Sequence, residues 1–182
     1  MADILLCVSA SVSLYKSCDL ASKLVQGGHR LRTVLTANAA KMISPQLFEA
    51  ITGDTASVSE WGAARRGAMD HIDLGRFAEV CVVAPCSADL TARLAHGQAG
   101  DLVTTALLAT KDGIPKLVCP AMNPLMLSKP AVQRNIETLR SDGWTVVEPG
   151  AGHMACGDDG MGRLAEPLEI IDALERALEQ AR

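Results

Sequence analysis

Between Gly152 and Arg163 the chain reads G-H-M-A-C-G-D-D-G-M-G-R, a run that holds a single thiol and ends on a cation. Cys156 offers a thiol between Ala155 and Gly157, and Arg163 closes the run with a cation. Four glycines and two aspartates in twelve positions leave too much backbone freedom for a helix or strand, so the segment is expected as a loop. A flexible loop with one thiol and one cation suits a lid, spanning about 149–166, that closes over an anionic substrate and donates a proton or attacks it. A surface turn with an inert cysteine is the alternative.

Other candidates lie where apolar runs end. Ser9-Ala10-Ser11-Val12-Ser13 packs three hydroxyls at the start of a helix, a setting for phosphate or for ordinary N-capping. It is not G-x-G-x-x-G, which favours a mononucleotide over a dinucleotide. Thr36 and Asn38 form a second polar cluster, Ser87 and Asp89 in Pro85-Cys86-Ser87-Ala88-Asp89 a third, and Gly100-Asp101 with Thr104-Thr105 a further helix start. Asn123 stands between Pro120 and Pro124, in a rigid segment that suits an amide holding a ligand without rearrangement, or a turn. His71, between Asp70 and Ile72, reads as a base or as a helix-start residue.

The elements that must position these residues alternate along the chain. Ile4–Val8, Leu31–Thr36, Val80–Ala84, Lys116–Cys119 and Thr145–Glu148 read as strands, with a short edge strand near Ala56–Ser59. Ser13–Gln26, Ala39–Ile51 with an interruption near Pro45, Ala88–Leu94, Asp101–Ala109, Ala131–Ser141 and Leu168–Leu178 read as helices. Apolar strands alternating with helices predict one α/β domain over residues 1–182. It is doubly wound, Rossmann-like or flavodoxin-like, with a mainly parallel sheet that binds ligands at the carboxyl ends of its strands.

Composition narrows the function classes. The 182 residues are 48% hydrophobic and only 3% aromatic, an aliphatic, small-residue chain suited to burying surface against copies of itself. A net charge of −4 argues against nucleic acid as a partner. No apolar run is long enough to span a bilayer and no export signal opens the chain, so a cytoplasmic protein is expected. None of the six cysteines sits in a C-x-x-C pair, so no metal site is expected. Cys7, Cys81 and Cys119 read as buried apolar residues, and Cys156 alone has a setting for reactivity.

Together these segments resemble one family, the homo-oligomeric flavin-containing cysteine decarboxylases. P-C-S-A-D-L at Pro85–Leu90 is similar to that family's P-A-S-A-N-T segment, and Pro120–Met126 matches its P-x-M-N-x-x-M motif at every specified position. His71-Ile72 resembles its catalytic histidine, and Ala155–Arg163 matches the A-C-G-x-x-G-x-G-R loop of the branch that decarboxylates phosphopantothenoylcysteine. The chain departs from the family at Asp89, at Gly100 and in an Ala10-Ser11 loop that is not glycine-rich.

The resemblance implies FMN as cofactor, with Ser9, Ser11 and Thr36 toward its phosphate and Ser87, Ala88, Asp89 and Asp101 toward its ring. It implies a phosphorylated cysteine conjugate as substrate, contacted by Met122, Asn123, Ala155 and Arg163. His71 is the implied base, Asn123 the holder of the substrate carboxylate and Cys156 the proton donor. It also implies a homotrimer, or a dodecamer built from trimers, with His71 of one subunit facing the flavin of another. Oxidative decarboxylation of a C-terminal peptidyl cysteine, a prenyl-transferring flavin enzyme and a non-catalytic flavin-binding regulatory subunit are the competing readings. No nucleotide-dependent synthetase domain follows Arg182, as expected of a monofunctional enzyme or of part of a longer chain.

Overall fold

The computed structural model describes residues 1–61, 66–153, 155 and 157–181. Five strands form one parallel sheet in the order β2-β1-β3-β4-β5: β1 Asp3–Val8, β2 Arg30–Leu35, β3 Val80–Cys86, β4 Lys116–Pro120 and β5 Thr145–Val146. This is the expected doubly wound α/β domain. The chain leaves β1 toward one edge and returns on its other side as β3, so the strand order reverses between β1 and β3. Loops after those two strands turn to opposite faces and open a crevice between them.

The strands are apolar throughout because both faces are covered. Ile4, Leu6 and Val8 of β1, with Val80, Val82 and Ala84 of β3, enter the core under α1 Tyr15–Gln26, α3 Pro45–Thr52 and α9 Pro167–Gln180. Leu5 and Cys7, with Cys81 and Val83, enter the opposite core under α4 Asp70–Phe77, α5 Ala88–Ala95, α6 Leu102–Leu108 and α8 Pro130–Ser141. The period-two alternation of side chains divides one unbroken apolar run between two cores.

Several local expectations change. The Ala56–Ser59 strand reduces to one parallel bridge, Ser57 against Val34. The interruption near Pro45 separates α2 Ala37–Met42 from α3, because proline starts a helix better than it continues one. β5 stops at Val146, short of Glu148. α7, Pro124–Leu127, occupies what reads in sequence as a rigid loop. The larger correction is the glycine-rich segment, which is a hairpin: β6 Gly150–His153 pairs antiparallel with β7 Asp159–Arg163.

α4 carries His71 and packs closely on α6. A Cβ added at Gly75 would lie 2.5 Å from the carbonyl oxygen of Ala109, which is backbone and has little room to yield. Gly75→Ala is therefore expected to destabilise the fold by about 1–3 kcal/mol, the usual cost of overpacking. Urea denaturation checks this, and an unchanged midpoint would refute the close packing.

Candidate active site

The crevice is built from β1 outward. Ser9, 1% exposed, follows β1 directly, and its hydroxyl donates to the Pro85 carbonyl at 2.8 Å while accepting the Ser87 amide at 2.8 Å. Its proton is thus already given within the protein, and the residue ties the loop after β1 to the end of β3. Ser11 caps a single 3-10 turn, Val12–Leu14, and shares a 2.9 Å hydrogen bond with Ser13. Thr36 caps α2 by accepting from the Ala39 amide, Ser87 caps α5 by accepting from Leu90, and Asp101 caps α6 in a capping box with Thr104. Thr36 and Ser87 each accept a backbone hydrogen bond in capping and keep their own proton available as a donor, while the Ser11 and Ser13 hydroxyls share one hydrogen bond and leave one proton between them to give. Several helix N-termini therefore meet around one crevice, the arrangement that attracts an anion.

Arg93 offsets the carboxylates there. Its guanidinium reaches Asp101 at 2.7 Å and Asp89 at 2.9 Å. Burial alone would raise the Asp101 carboxyl, but hydrogen bonds from Arg93 and Thr104 outweigh it and hold the group below the usual carboxylate range.

Two adjoining cavities open here, of about 420 and about 330 Å³, with Ala10, Ser87, Ala88 and Met126 common to both. The smaller is bordered by Ser9, Thr36, Asp89, Arg93 and Asp101. The larger is bordered by Ser11, Met122, Asn123, Ala155 and Arg163, together with Lys16 and His153. The residues expected to touch cofactor thus meet mainly in one cavity, apart from Ser11, and those expected to touch substrate meet in the other.

The hairpin forms one wall of the larger cavity. Its glycines serve close approach and positive φ: a Cβ on Gly152 (φ +142°) would fall 2.8 Å from the Arg163 guanidinium, and one on Gly160 (φ +153°) 3.1 Å from Pro124. The Met122 amide donates to the Gly162 carbonyl at 3.0 Å, docking β7 beside the loop after β4. Asn123 caps α7 with its side-chain oxygen, accepting from Leu125 at 2.8 Å, and its amide donates to the Asp158 carboxylate at 2.6 Å. The cap is thus present, and the amide at the other end of the side chain is engaged by a carboxylate of the protein. Lys16, largely buried, donates to Glu166 at 2.7 Å and to the Leu164 carbonyl at 3.2 Å, and Arg163 lies 3.8 Å from the same carboxylate.

His71 is not brought into this group within one chain. It sits on the first turn of α4, borders neither cavity, and its Nδ1 contacts the Glu60 carboxylate. The Cys156 expectation lies outside the described residues. Sequence reasoning missed Lys16, Arg93 and His153. Only Arg93 had a signal, its four-residue spacing from Asp89 on a helix.

Ser9→Ala removes an acceptor from the Ser87 amide and a donor from the Pro85 carbonyl. It is expected to cost about 1–3 kcal/mol, the penalty for leaving a buried partner unsatisfied. Thermal denaturation measures it, and an unshifted transition would show that the bridge is dispensable.

The model of the Flavoprotein family matches residues 1–179. The chain is 39% identical over 174 residues to the coenzyme A biosynthesis bifunctional protein CoaBC of Bacillus subtilis (strain 168), an alignment covering 96% of this chain and 42% of that protein. It thus spans less than half the length of the curated relatives it matches. Among solved structures, the FMN-dependent cysteine decarboxylase SpaF superposes with a TM-score of 0.83 at 34% identity, covering 100% of this chain and 97% of that one. A cysteine-to-serine mutant of PPC decarboxylase, complexed with pantothenoylaminoethenethiol, superposes with a TM-score of 0.83 at 28% identity, covering 97% of each chain. With residues 1–179 matched by its model, this chain belongs to the Flavoprotein family.

Proposed function

We propose that the chain is an FMN-dependent decarboxylase that converts phosphopantothenoylcysteine to phosphopantetheine in coenzyme A biosynthesis. The observation that carries the reading is the pair of adjoining cavities, one rimmed by helix N-termini and hydroxyls, the other bringing Asn123, Arg163 and Ala155 together. FMN fits the donor set. Thr36 and the Ser11–Ser13 hydroxyl pair offer protons beside helix starts and suit a phosphate, and Ser9 keeps that loop in place. Ala10, Ala88 and Met126 offer apolar wall to a flat ring, beside Ser87 and the Arg93-balanced carboxylates of Asp89 and Asp101. A purified protein that stays colourless after incubation with FMN and desalting would defeat the reading, since bound oxidised flavin absorbs in the visible.

Simple loss of CO₂ from a cysteine-derived carboxylate leaves a carbanion with nothing to delocalise it. When bound, FMN supplies oxidation of the substrate's thiol-bearing carbon, creating the electron sink the decarboxylation needs. The protein's own residues do the rest. His71 takes the thiol proton, delivered by a neighbouring subunit in a homotrimer. Arg163 holds the anionic substrate, with its charge shared by Glu166. Asn123 holds the substrate carboxylate through the amide that here meets Asp158, so binding exchanges one carboxylate for another on the same donor. No helix among the described residues is long and apolar enough to cross a membrane.

The likeness to SpaF, an FMN-dependent cysteine decarboxylase, keeps a second reading in view: oxidative decarboxylation of a C-terminal peptidyl cysteine to an enethiol. That reaction ends once CO₂ is released. The A-C-G-x-x-G-x-G-R segment argues for the first reading, because phosphopantetheine formation needs one further proton and a returned hydride. Cys156 is the proposed donor of that proton, since a thiol is mostly protonated at neutral pH. Cys156→Ser is expected to release CO₂ at the normal initial rate yet accumulate the enethiol, with the flavin absorbance bleached. Mass spectrometry of the products decides it, and phosphopantetheine formed at the wild-type rate would remove Cys156 from the mechanism.

A further inference from the structure

Outside the two cavities, a carboxylate meets the histidine that the mechanism needs as a base. Glu60 contacts Nδ1 of His71, with the two side chains 21% and 26% exposed. We propose that Glu60 is the positioning residue of His71: it holds the Nδ1–H tautomer and thereby leaves Nε2 as the basic nitrogen. The inference rests on the reading of His71 as the base. An ionised carboxylate only accepts hydrogen bonds, so a neutral imidazole can keep this contact only by carrying its proton on Nδ1. A free imidazole ring interchanges its tautomers, and the hydrogen bond made by one nitrogen sets the role of the other.

The contact is anchored at both ends, unlike an ordinary exposed ion pair, which is worth little. On the Glu60 side, Ser57 bonds alongside β2, donating to the Thr33 carbonyl at 2.9 Å and accepting from Leu35 at 2.9 Å. The Ser59 hydroxyl accepts from the Trp61 amide at 3.1 Å, closing a turn around Glu60. On the His71 side, the buried Asp70 carboxylate accepts the Arg66 amide at 2.8 Å and the Gly67 amide at 2.6 Å, fixing the start of α4. Arg66 joins the two sides. Its guanidinium donates to Asp54 at 2.8 Å and to the Ser57 hydroxyl at 3.2 Å, while its backbone serves Asp70. The segment bearing the carboxylate and the helix bearing the ring are thus clamped by one residue that belongs to neither.

The test uses the full chain labelled with ¹⁵N-histidine, with the His71 signals among the four histidines assigned by their loss in His71→Asn. Wild type is expected to show the Nδ1–H tautomer. Glu60→Ala is expected to shift the ring toward Nε2–H and to lower kcat for CO₂ release from phosphopantothenoylcysteine by roughly 10- to 100-fold, with KM unchanged. Glu60→Gln, whose amide oxygen still accepts a hydrogen bond, is expected to restore much of both. Retained FMN absorbance in each variant confirms that it is folded. A ring signal unmoved by Glu60→Ala, or a moved signal with unchanged kcat, would overturn the positioning role. If His71→Asn turned over normally, the base assignment itself would fall, and the ring signal alone would then decide whether Glu60 sets the tautomer.

Discussion

Ser9 holds the site together. Reversal of strand order at β1 and β3 sends neighbouring loops apart, and the gap this leaves is useful only if its edges keep a constant separation. The Ser9 hydroxyl sets that separation by giving its proton to Pro85 and taking the Ser87 amide, both at 2.8 Å. Ser87 in turn caps α5, so a single short side chain couples the end of β1 to the direction of a helix on the far side of the crevice. A larger side chain at this buried position would push the loops apart, and one without the hydroxyl would leave the Ser87 amide unsatisfied, while the Pro85 carbonyl keeps the Ser9 amide at 3.2 Å.

Charge around the crevice follows a common pattern of one cation balancing two carboxylates, or one carboxylate two cations. Arg93 spans Asp89 and Asp101, while Glu166 receives Lys16 and faces Arg163. Arg93 and Lys16 are consequently tethered, and Arg163 at 3.8 Å is the more loosely held. That grading suits a site in which one cation must engage a changing ligand while the others preserve the walls.

The cysteines divide by the same physics. Burial pushes the thiols of Cys81 and Cys86 up to about 12, so neither is a thiolate at physiological pH. They fill core space in and around β3. The buried thiols of Cys7 and Cys119 are raised in the same way, so none of the four sheet cysteines is a ready nucleophile.

Much of this was legible in the sequence because it depends on neighbours along the chain. Unbroken apolar runs at Ile4–Val8 and Val80–Ala84 require a sheet covered on both faces, and serine, threonine or aspartate before an apolar helix is a cap wherever the helix goes. The glycine-rich segment was misjudged for a related reason. Local freedom disfavours a strand there, yet pairing across the hairpin and the close approach of Arg163 and Pro124 supply what the isolated segment lacks. Partnerships between residues distant in sequence were decided by the tertiary structure alone: Ser9 with Pro85, Lys16 with Glu166, Asn123 with Asp158, and the separation of His71 from the cavities. The sequence by itself determined which groups exist and which elements carry them. Which groups meet was left to the order of strands and the packing of helices, because hydrogen bonds act over about 3 Å and only the folded chain brings remote residues that close.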